Sequence, residues 1–325
     1  MKKVRVEDAV GQPLCHDITR IVIGESKGVA FARGRIIRSE DIPELKRLGK
    51  EHVYIREPED GDDIHEEDVA RELYAFSCGE NLNGGEIKEG KIEAFATCDG
   101  LLKVDVKRLY EINAVGELNL VTKRTDIAVK TGDKVAGMRA VPLLLAADKL
   151  EAARRIAGNV PIIRVKPFVR KNVGVVTTGT EVYNGLIADA FTPIIRKRIG
   201  PYGMRVTAHE TVPDDAEKIE FAIRRVIEQG AEVVLCTGGM SVDPDDLTPG
   251  AIARAADVVT YGLPVLPGSM VCIAYTKNGT PVAGVPGGVL FGEPSAFEWF
   301  VPRFAADDRI VKEECIALGH GGLLG

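Results

Sequence analysis

The residues whose types and spacing suit chemistry lie in two similar stretches. VGVVTTGTEV, Val173 to Val182, presents Thr177, Thr178, Gly179, Thr180 and Glu181, and AEVVLCTGGMSVDPDDLTP, Ala231 to Pro249, presents Thr237, Gly238, Gly239, Met240 and Ser241. In each, a β-branched apolar run ends in threonine and glycine ahead of a segment with helical spacing, the pattern of a buried parallel strand feeding a loop. Such a loop suits an anion, because glycine lets backbone N–H groups approach and the following helix dipole favours negative charge. Hydroxyls at Thr177, Thr178, Thr180 and Ser241 add donors. Asp246 is the candidate for catalysis: it lies two residues ahead of the helix cap expected at Thr248, and a carboxylate facing an anion needs an intervening cation. Magnesium bridging to phosphates is the natural one. Asp243 and Asp245 either share that role or form a solvated acidic loop, which is also the alternative for Asp246. Asp214 is either functional or, with Glu217 three residues on, half of a capping box.

The elements that position these residues follow from periodicity. From Val173 onward, VGVVTT, MRVTAHETV and AEVVLCT read as strands. Helices alternate with them: one running to about Ile199 and capped by Asp189 or Thr192, and the amphipathic DDAEKIEFAIRRVIEQG. VCIAYTKNGTPVAGV reads as two strands around the hairpin signal Asn278-Gly279, and GEPSAFEWFVPRF as a closing helix. The expectation is a mainly parallel α/β sandwich with a late antiparallel pair. Upstream, SEDIPELKRLG reads as a short helix stopped at Gly49, HVYIRE as a strand and the acidic PEDGDD as a boundary. Ile64 to Ala75 and Val141 to Ile156 have helical character, and KIEAFAT, LLKVD, LNLVTK and AVKTGDKVAG between them read as strands around a brief helix at VDVKRLYEIN. The expected domains are an N-terminal α+β segment (1–60), a small β-rich domain with a connecting helix (61–170), the α/β domain (171–310) and a short tail (311–325).

With 325 residues, 45% of them hydrophobic, the chain can bury more than one core. A formal net charge of -6 gives no whole-chain reason to bind nucleic acid or an anionic membrane. The six cysteines are scattered, without zinc spacing, and suit reduced thiols in a cytoplasm. Neither a signal-peptide pattern nor an apolar run of membrane-spanning length is present. The five histidines, His16, His52, His65, His209 and His320, share no metal-site spacing and read as surface or satisfied structure. Trp299, with Phe297 and Phe300, reads as helix core, and Cys315 and His320 fall in a Gly-rich tail expected to be mobile.

TTGTEV, VPDD, TGGMSVDPDD, LPGS (Leu266 to Ser269) and VPGG (Val285 to Gly288), in this order, resemble the motifs of the molybdopterin-binding domain shared by enzymes that finish molybdenum cofactor. DAVGQPLCHDIT and KGVAFARGRIIRSEDIPEL are similar to the opening of the molybdenum-insertase (MoeA-like, molybdopterin molybdenumtransferase) family. The resemblance implies a three-layer α/β/α domain and a molybdopterin ligand. Its contact residues would include Pro267, Gly268, Ser269, Pro286, Gly287 and Gly288 besides the two threonine-glycine loops. It also implies a transferase with magnesium at Asp246, ATP or molybdate as co-substrate, and other cofactor-assembly proteins as partners.

Three departures bear on the reaction. Pro267-Gly268-Ser269-Met270 stands where insertases carry a PGKP lysine, and Gly288-Val289 where they carry Asn-Pro. Only VKEECIALGHGGLLG follows Ile310 in place of a further β-rich domain, and DDLTP resembles the adenylylating (MogA-like) partner family. Two functions follow as expectations: an enzyme that adenylylates molybdopterin or inserts molybdate, or a non-catalytic binder, carrier or sensor. A symmetric homo-oligomer is expected, a dimer before a trimer.

Overall fold

The computed structural model describes residues 1–22, 26–57, 61–241, 243 and 246–324. Two compact units emerge: residues 1–95, 105–123 and 134–163 form the first, and 96–104, 124–133 and 164–325 the second. The sequence expectation divides the chain at 60 and 170. Here the N-terminal segment joins the first unit, and two short excursions of the β-rich region join the second because their strands pair there.

The first unit opens with β1 (Lys2–Arg5), β2 (Ile18–Val22), β3 (Ser26–Phe31), α1 (Ile42–Arg47) and β4 (His52–Ile55), with β1 paired to β4 and β2 to β3. Val6, Leu14, Ile18, Phe31, Ile37, Leu45 and Val53 make its own small core. The helix expected from Ile64 starts later, because Ile64–His65 (β5) pairs with Leu144–Leu145 (β12) and His65 caps α2 (Glu66–Ser77). The His65 Nδ1 accepts the Glu67 amide at 3.2 Å. The same pairing delays the helix expected from Val141, so α4 runs Ala147–Ala157. β6 (Leu82–Gly84), β7 (Lys91–Ala96), β11 (Lys134–Ala140) and β9 (Leu118–Thr122) form one sheet in that spatial order, with α3 (Val106–Ala114) in the connection. AVKTGDKVAG is two strands rather than one: Gly132, at φ 88°, turns the chain between β10 (Ile127–Val129) and β11.

The second unit holds a six-stranded sheet. Its strands, in chain order, are β14 (Asn172–Thr178), β15 (Arg205–Val212), β16 (Val233–Thr237), β17 (Asp257–Tyr261), β18 (Cys272–Tyr275) and β19 (Pro281–Val285). In space the order is β15-β14-β16-β19-β18-β17. The pairs β14–β15, β14–β16 and β16–β19 are parallel, and β18–β19 and β17–β18 antiparallel, as the late hairpin at Asn278-Gly279 requires. A smaller sheet pairs β10 with β8 (Gly100–Val104), and β8 with β13 (Ile163–Pro167).

Strand alternation divides the buried residues between two faces. Val173, Val175, Val233, Leu235, Ala283 and Val285 face one core, which α6 (Phe191–Ile199), α10 (Phe297–Ala305) and α11 (Lys312–Ala317) complete with Ile195, Ile199, Phe297, Phe300 and Cys315. Val176, Val234, Cys236 and Val282 face the other, against Ile219, Ala222, Ile223 and Val226 of α7 (Ala216–Glu228) and Ala251 and Ile252 of α8 (Thr248–Ala255). The spacing i, i+3, i+4, i+7 on α7 is why it lies on the sheet, each fully buried isoleucine contributing about 2 kcal/mol. Helices on both faces give the α/β/α layering.

The tail is docked rather than free. Cys315 is buried on α11, and Leu318 and Leu324 pack on the first core. The Leu266 amide donates to the Gly322 carbonyl at 2.8 Å, and the Leu324 amide to the Leu266 carbonyl at 2.9 Å. All six cysteines are free thiols.

Candidate functional site

Register brings the two threonine-glycine loops to one edge. Thr177 pairs with Thr237, and Thr237 with Val285, so the loops after β14, β16 and β19 leave the sheet at the same level. This is the carboxyl edge of three adjacent parallel strands, where open α/β sheets place ligands. α5 (Thr180–Tyr183) follows the first loop, α8 the second and α9 (Gly287–Phe291) the third.

Period-2 alternation sends the two threonines of β14 to opposite faces. The Thr177 hydroxyl meets Asp189 Oδ2 at 3.1 Å and His209 Nε2 at 3.0 Å, and lies 3.4 Å from the Thr192 hydroxyl. Asp189 also accepts the Phe191 and Thr192 amides at 2.8 and 3.1 Å and the Thr192 hydroxyl at 2.5 Å. Asp189 thus caps α6, one of the two residues expected to do so, while Thr192 lies inside the helix. Burial pushes the Asp189 carboxyl up; the hydrogen bonds from Thr192, Phe191 and Thr177 outweigh it and hold the group below its ordinary value. His209, expected to be surface or satisfied structure, is a member of this cluster.

Thr178 turns the other way. Its hydroxyl lies 3.2 Å from that of Thr248, which donates to the Gly238 carbonyl at 2.8 Å. Thr248 therefore does not cap α8: it is the first helical residue, Leu247 precedes it without a side-chain cap, and its hydroxyl closes the second loop instead.

Gly238 and Gly239 are required by the protein itself. Both have positive φ, 86° and 54°. A Cβ on Gly238 would overlap the Thr178 carbonyl, and one on Gly239 would lie 2.9 Å from the Thr248 hydroxyl. Gly288 differs: its φ is ordinary and nothing lies within 4 Å of a Cβ placed there.

The two candidate carboxylates each brace a loop. Asp214 accepts the Thr180 amide at 2.9 Å and the Thr180 hydroxyl at 3.1 Å. The capping box expected of Asp214 is absent, since Asp215 caps α7 by accepting the Glu217 and Lys218 amides, both at 3.0 Å. Asp246 Oδ2 accepts the Ser241 amide at 2.8 Å, and the Asp246 amide donates to the Asp243 carbonyl at 3.0 Å. Asp246 therefore caps no helix but braces its own loop. Asp245 lies outside the described residues.

Groups left for a ligand differ from those expected. The hydroxyls of Thr177, Thr178 and Thr180 are engaged internally, and the Gly179 amide donates to the Val212 carbonyl at 3.2 Å. The Gly238 amide completes the parallel ladder at the Thr237–Val285 pair, whereas among the described residues the amides of Gly239 and Met240 donate to no protein acceptor and the fully buried Thr237 hydroxyl has no partner. Met240 itself is buried over Gly284, so only its backbone can face outward. Glu181 and Gly287 stand at the rim on α5 and α9, with Pro286 just before α9. Pro267, Gly268 and Ser269 lie at the other end of α9: the Pro267 carbonyl accepts the Ala296 amide at 3.0 Å, and a Cβ on Gly292 would lie 3.1 Å from the Pro267 ring.

A buried arginine that sequence reasoning missed holds this region. Arg198 on α6 donates to the carbonyls of Val289, Leu290 (3.2 Å) and Gly292 (3.2 Å), to the Ser295 hydroxyl (3.0 Å) and to the Glu298 carboxylate. The available signal was a charged residue on the buried face of α6 set by Thr192, Ile195 and Ile199.

Residues 174–306 match the sequence profile of a family described as a probable molybdopterin binding domain, and residues 3–57 that of a domain of unknown function. A CinA-like protein of Geobacter sp. (strain M21) is 45% identical over 86 residues, covering 26% of this chain and 20% of that protein. Another, from Citrifermentans bemidjiense, is 44% identical over 86 residues, with the same coverage of 26% and 20%. The match thus spans about a fifth of the length of these curated relatives. Among solved structures, the molybdopterin biosynthesis enzyme MoaB of Thermus thermophilus is 25% identical over 41% of this chain and 91% of its own, at a TM-score of 0.36. The tungsten cofactor synthesizing protein MoaB of Pyrococcus furiosus is 18% identical over 47% and 97%, at a TM-score of 0.32.

Proposed function

We propose that the carboxyl edge of β14, β16 and β19 binds molybdopterin or its adenylylated form, and that the chain handles this ligand in a magnesium-dependent step, molybdate insertion or adenylylation. The observation that carries the reading is the cluster of unmatched donors after β16: the amides of Gly239 and Met240 beside the buried Thr237 hydroxyl. Buried or crowded donors without acceptors suit an anionic or oxygen-rich ligand edge. The profile matched by residues 174–306 supports the choice of ligand.

The residues present fit magnesium only together with ligand phosphates. No group of three or more His, Cys, Asp or Glu side chains able to hold a metal occurs among the described residues. Asp246 Oδ2 is engaged with Ser241, while Oδ1 has no protein partner among them. One free carboxylate oxygen is the usual protein share of a phosphate-bridging magnesium site. Magnesium, when bound, would neutralise charge on the phosphates. The chain's own part is to hold the two loops: Asp214 fixes Thr180, Asp246 fixes Ser241, and the Asp189 cluster fixes Thr177.

The non-catalytic reading, a binder or carrier, rests on the same braces, since Asp214 and Asp246 both have structural work, and on Ser269-Met270 in place of the insertase lysine. Calorimetry with purified molybdopterin tests the shared claim. Gly288→Glu adds a charged side chain in open space without strained backbone, and should weaken binding about tenfold or more with the melting temperature retained. Gly238→Val would be uninformative, because it collides with Thr178. Unaltered affinity in Gly288→Glu, or no saturable binding by wild type, overturns the reading. Product analysis with Mg-ATP and with molybdate then separates enzyme from binder.

A further inference from the structure

A cavity of about 780 Å³ lies in the first unit. That is ample for a small-molecule ligand. Two rings are part of its wall. His16 and Tyr54 stand edge to face with centroids 6.3 Å apart, and the His16 Nδ1 atom is buried without a partner among the described residues. Burial lowers the His16 pKa, with the charge of Lys50 adding to it, so the ring is neutral near pH 7 and offers one donor and one acceptor.

The wall also carries three cations, Lys88 and Lys91 from the turn into β7 and Arg139 from β11, beside the carboxylates of Glu66 and Glu89. Lys91 and Arg139 are direct cross-strand partners, an arrangement of like charges that destabilises an antiparallel pair. Their compensation is partial. Arg139 has one 3.3 Å contact with Glu66. Lys91 contacts Glu93 at 2.6 Å, but Lys134 contacts the same carboxylate at 2.8 Å, so one anion serves two ammonium groups. The acidic side chains of the wall have their own partners: Asp17 accepts the Arg33 amide at 2.7 Å, Glu67 lies 3.3 Å from the Arg33 guanidinium, and Glu89 is engaged as well.

We propose that this cavity binds a small anion carried on a planar ring, of the nucleoside monophosphate kind, with the ring at His16 and Tyr54 and the anionic group at Lys91 and Arg139. The site is independent of the sheet edge. A ring packed on aromatic side chains supplies affinity, and a phosphate held by the paired cations supplies orientation.

Calorimetry on the full chain with AMP, adenosine and inorganic phosphate tests it. AMP should bind saturably, and adenosine and phosphate each about tenfold or more weaker, since each lacks one half of the recognition. Lys91→Gln should weaken AMP about tenfold while leaving adenosine unchanged. Val141 lines the cavity and is exposed, so Val141→Trp should block AMP binding with the melting temperature intact; this variant decides the matter if Lys91→Gln folds poorly. Gly288→Glu at the sheet edge should leave AMP affinity unchanged. The proposal is overturned if AMP does not bind, if phosphate alone binds as tightly, or if AMP binding survives Val141→Trp and is lost in Gly288→Glu.

Discussion

Asp246 accepts the Ser241 amide through Oδ2, and asparagine there retains a carbonyl acceptor of the same shape. Asp246→Asn should therefore keep the loop, change the melting temperature little and leave ligand affinity in the absence of magnesium near wild type. Any magnesium-dependent turnover should fall about a hundredfold or more, because the lost interaction belongs to the charged form. Equal turnover by the variant and wild type would exclude Asp246 from the chemistry. Asp189 behaves differently. Removing its carboxylate in Asp189→Ala strands two amides and the hydroxyls of Thr177 and Thr192, and we expect a loss of about 3 kcal/mol in chemical denaturation. A change within experimental error would show that water replaces the cluster at no cost.

At the scale of elements, two buried charge systems join helices to their surroundings. Arg198 ties α6 to the chain following β19, and Arg198→Met should cost about 3 kcal/mol, since Glu298 and three carbonyls lose their donor together. Asp308 forms the second system, in contact with Lys103 (2.9 Å), Lys166 (2.9 Å) and Arg303 (2.8 Å). Burial pushes its carboxyl up; hydrogen bonds from Lys103 and Lys166 and the Arg303 charge outweigh that and hold it low. A carboxyl depressed in the folded state contributes stability that is complete above its unfolded value, about pH 4, and is lost as pH falls toward the native value. Asp308→Asn should flatten this acid limb of the stability profile; a profile parallel to wild type would exclude Asp308 as its source.

These systems mark where sequence reading stopped. The sheet, α7 and the hairpin at Asn278-Gly279 were legible because each rests on local periodicity or turn chemistry. The two loops were legible because glycine after a β-branched run is a local signal. The braces were not. Asp214 bonds Thr180 across 34 positions and Arg198 reaches Gly292 across 94, and pairings of that range leave no mark in spacing. Local pattern even misled at Asp214, where the capping-box spacing is present but the neighbouring Asp215 occupies the cap, and at Thr248, whose hydroxyl turns back to Gly238.

For the whole molecule, a symmetric homo-oligomer remains a proposal, and exposed Tyr183, Leu186 and Ile187 beside the first loop give it an apolar surface. Sedimentation should show a dimer or trimer at micromolar concentration; a monomer throughout would exclude both. The central claim concerns the sheet edge and is tested most directly by selective glycine ¹⁵N labelling followed through a titration with molybdopterin. The account predicts that the amide signals of Gly238, Gly239, Gly287 and Gly288 shift together and saturate, while those of Gly230 and Gly279, in the turns that lead into β16 and β19 at the opposite edge of the sheet, stay fixed. Saturable shifts that spare all four edge glycines would contradict it.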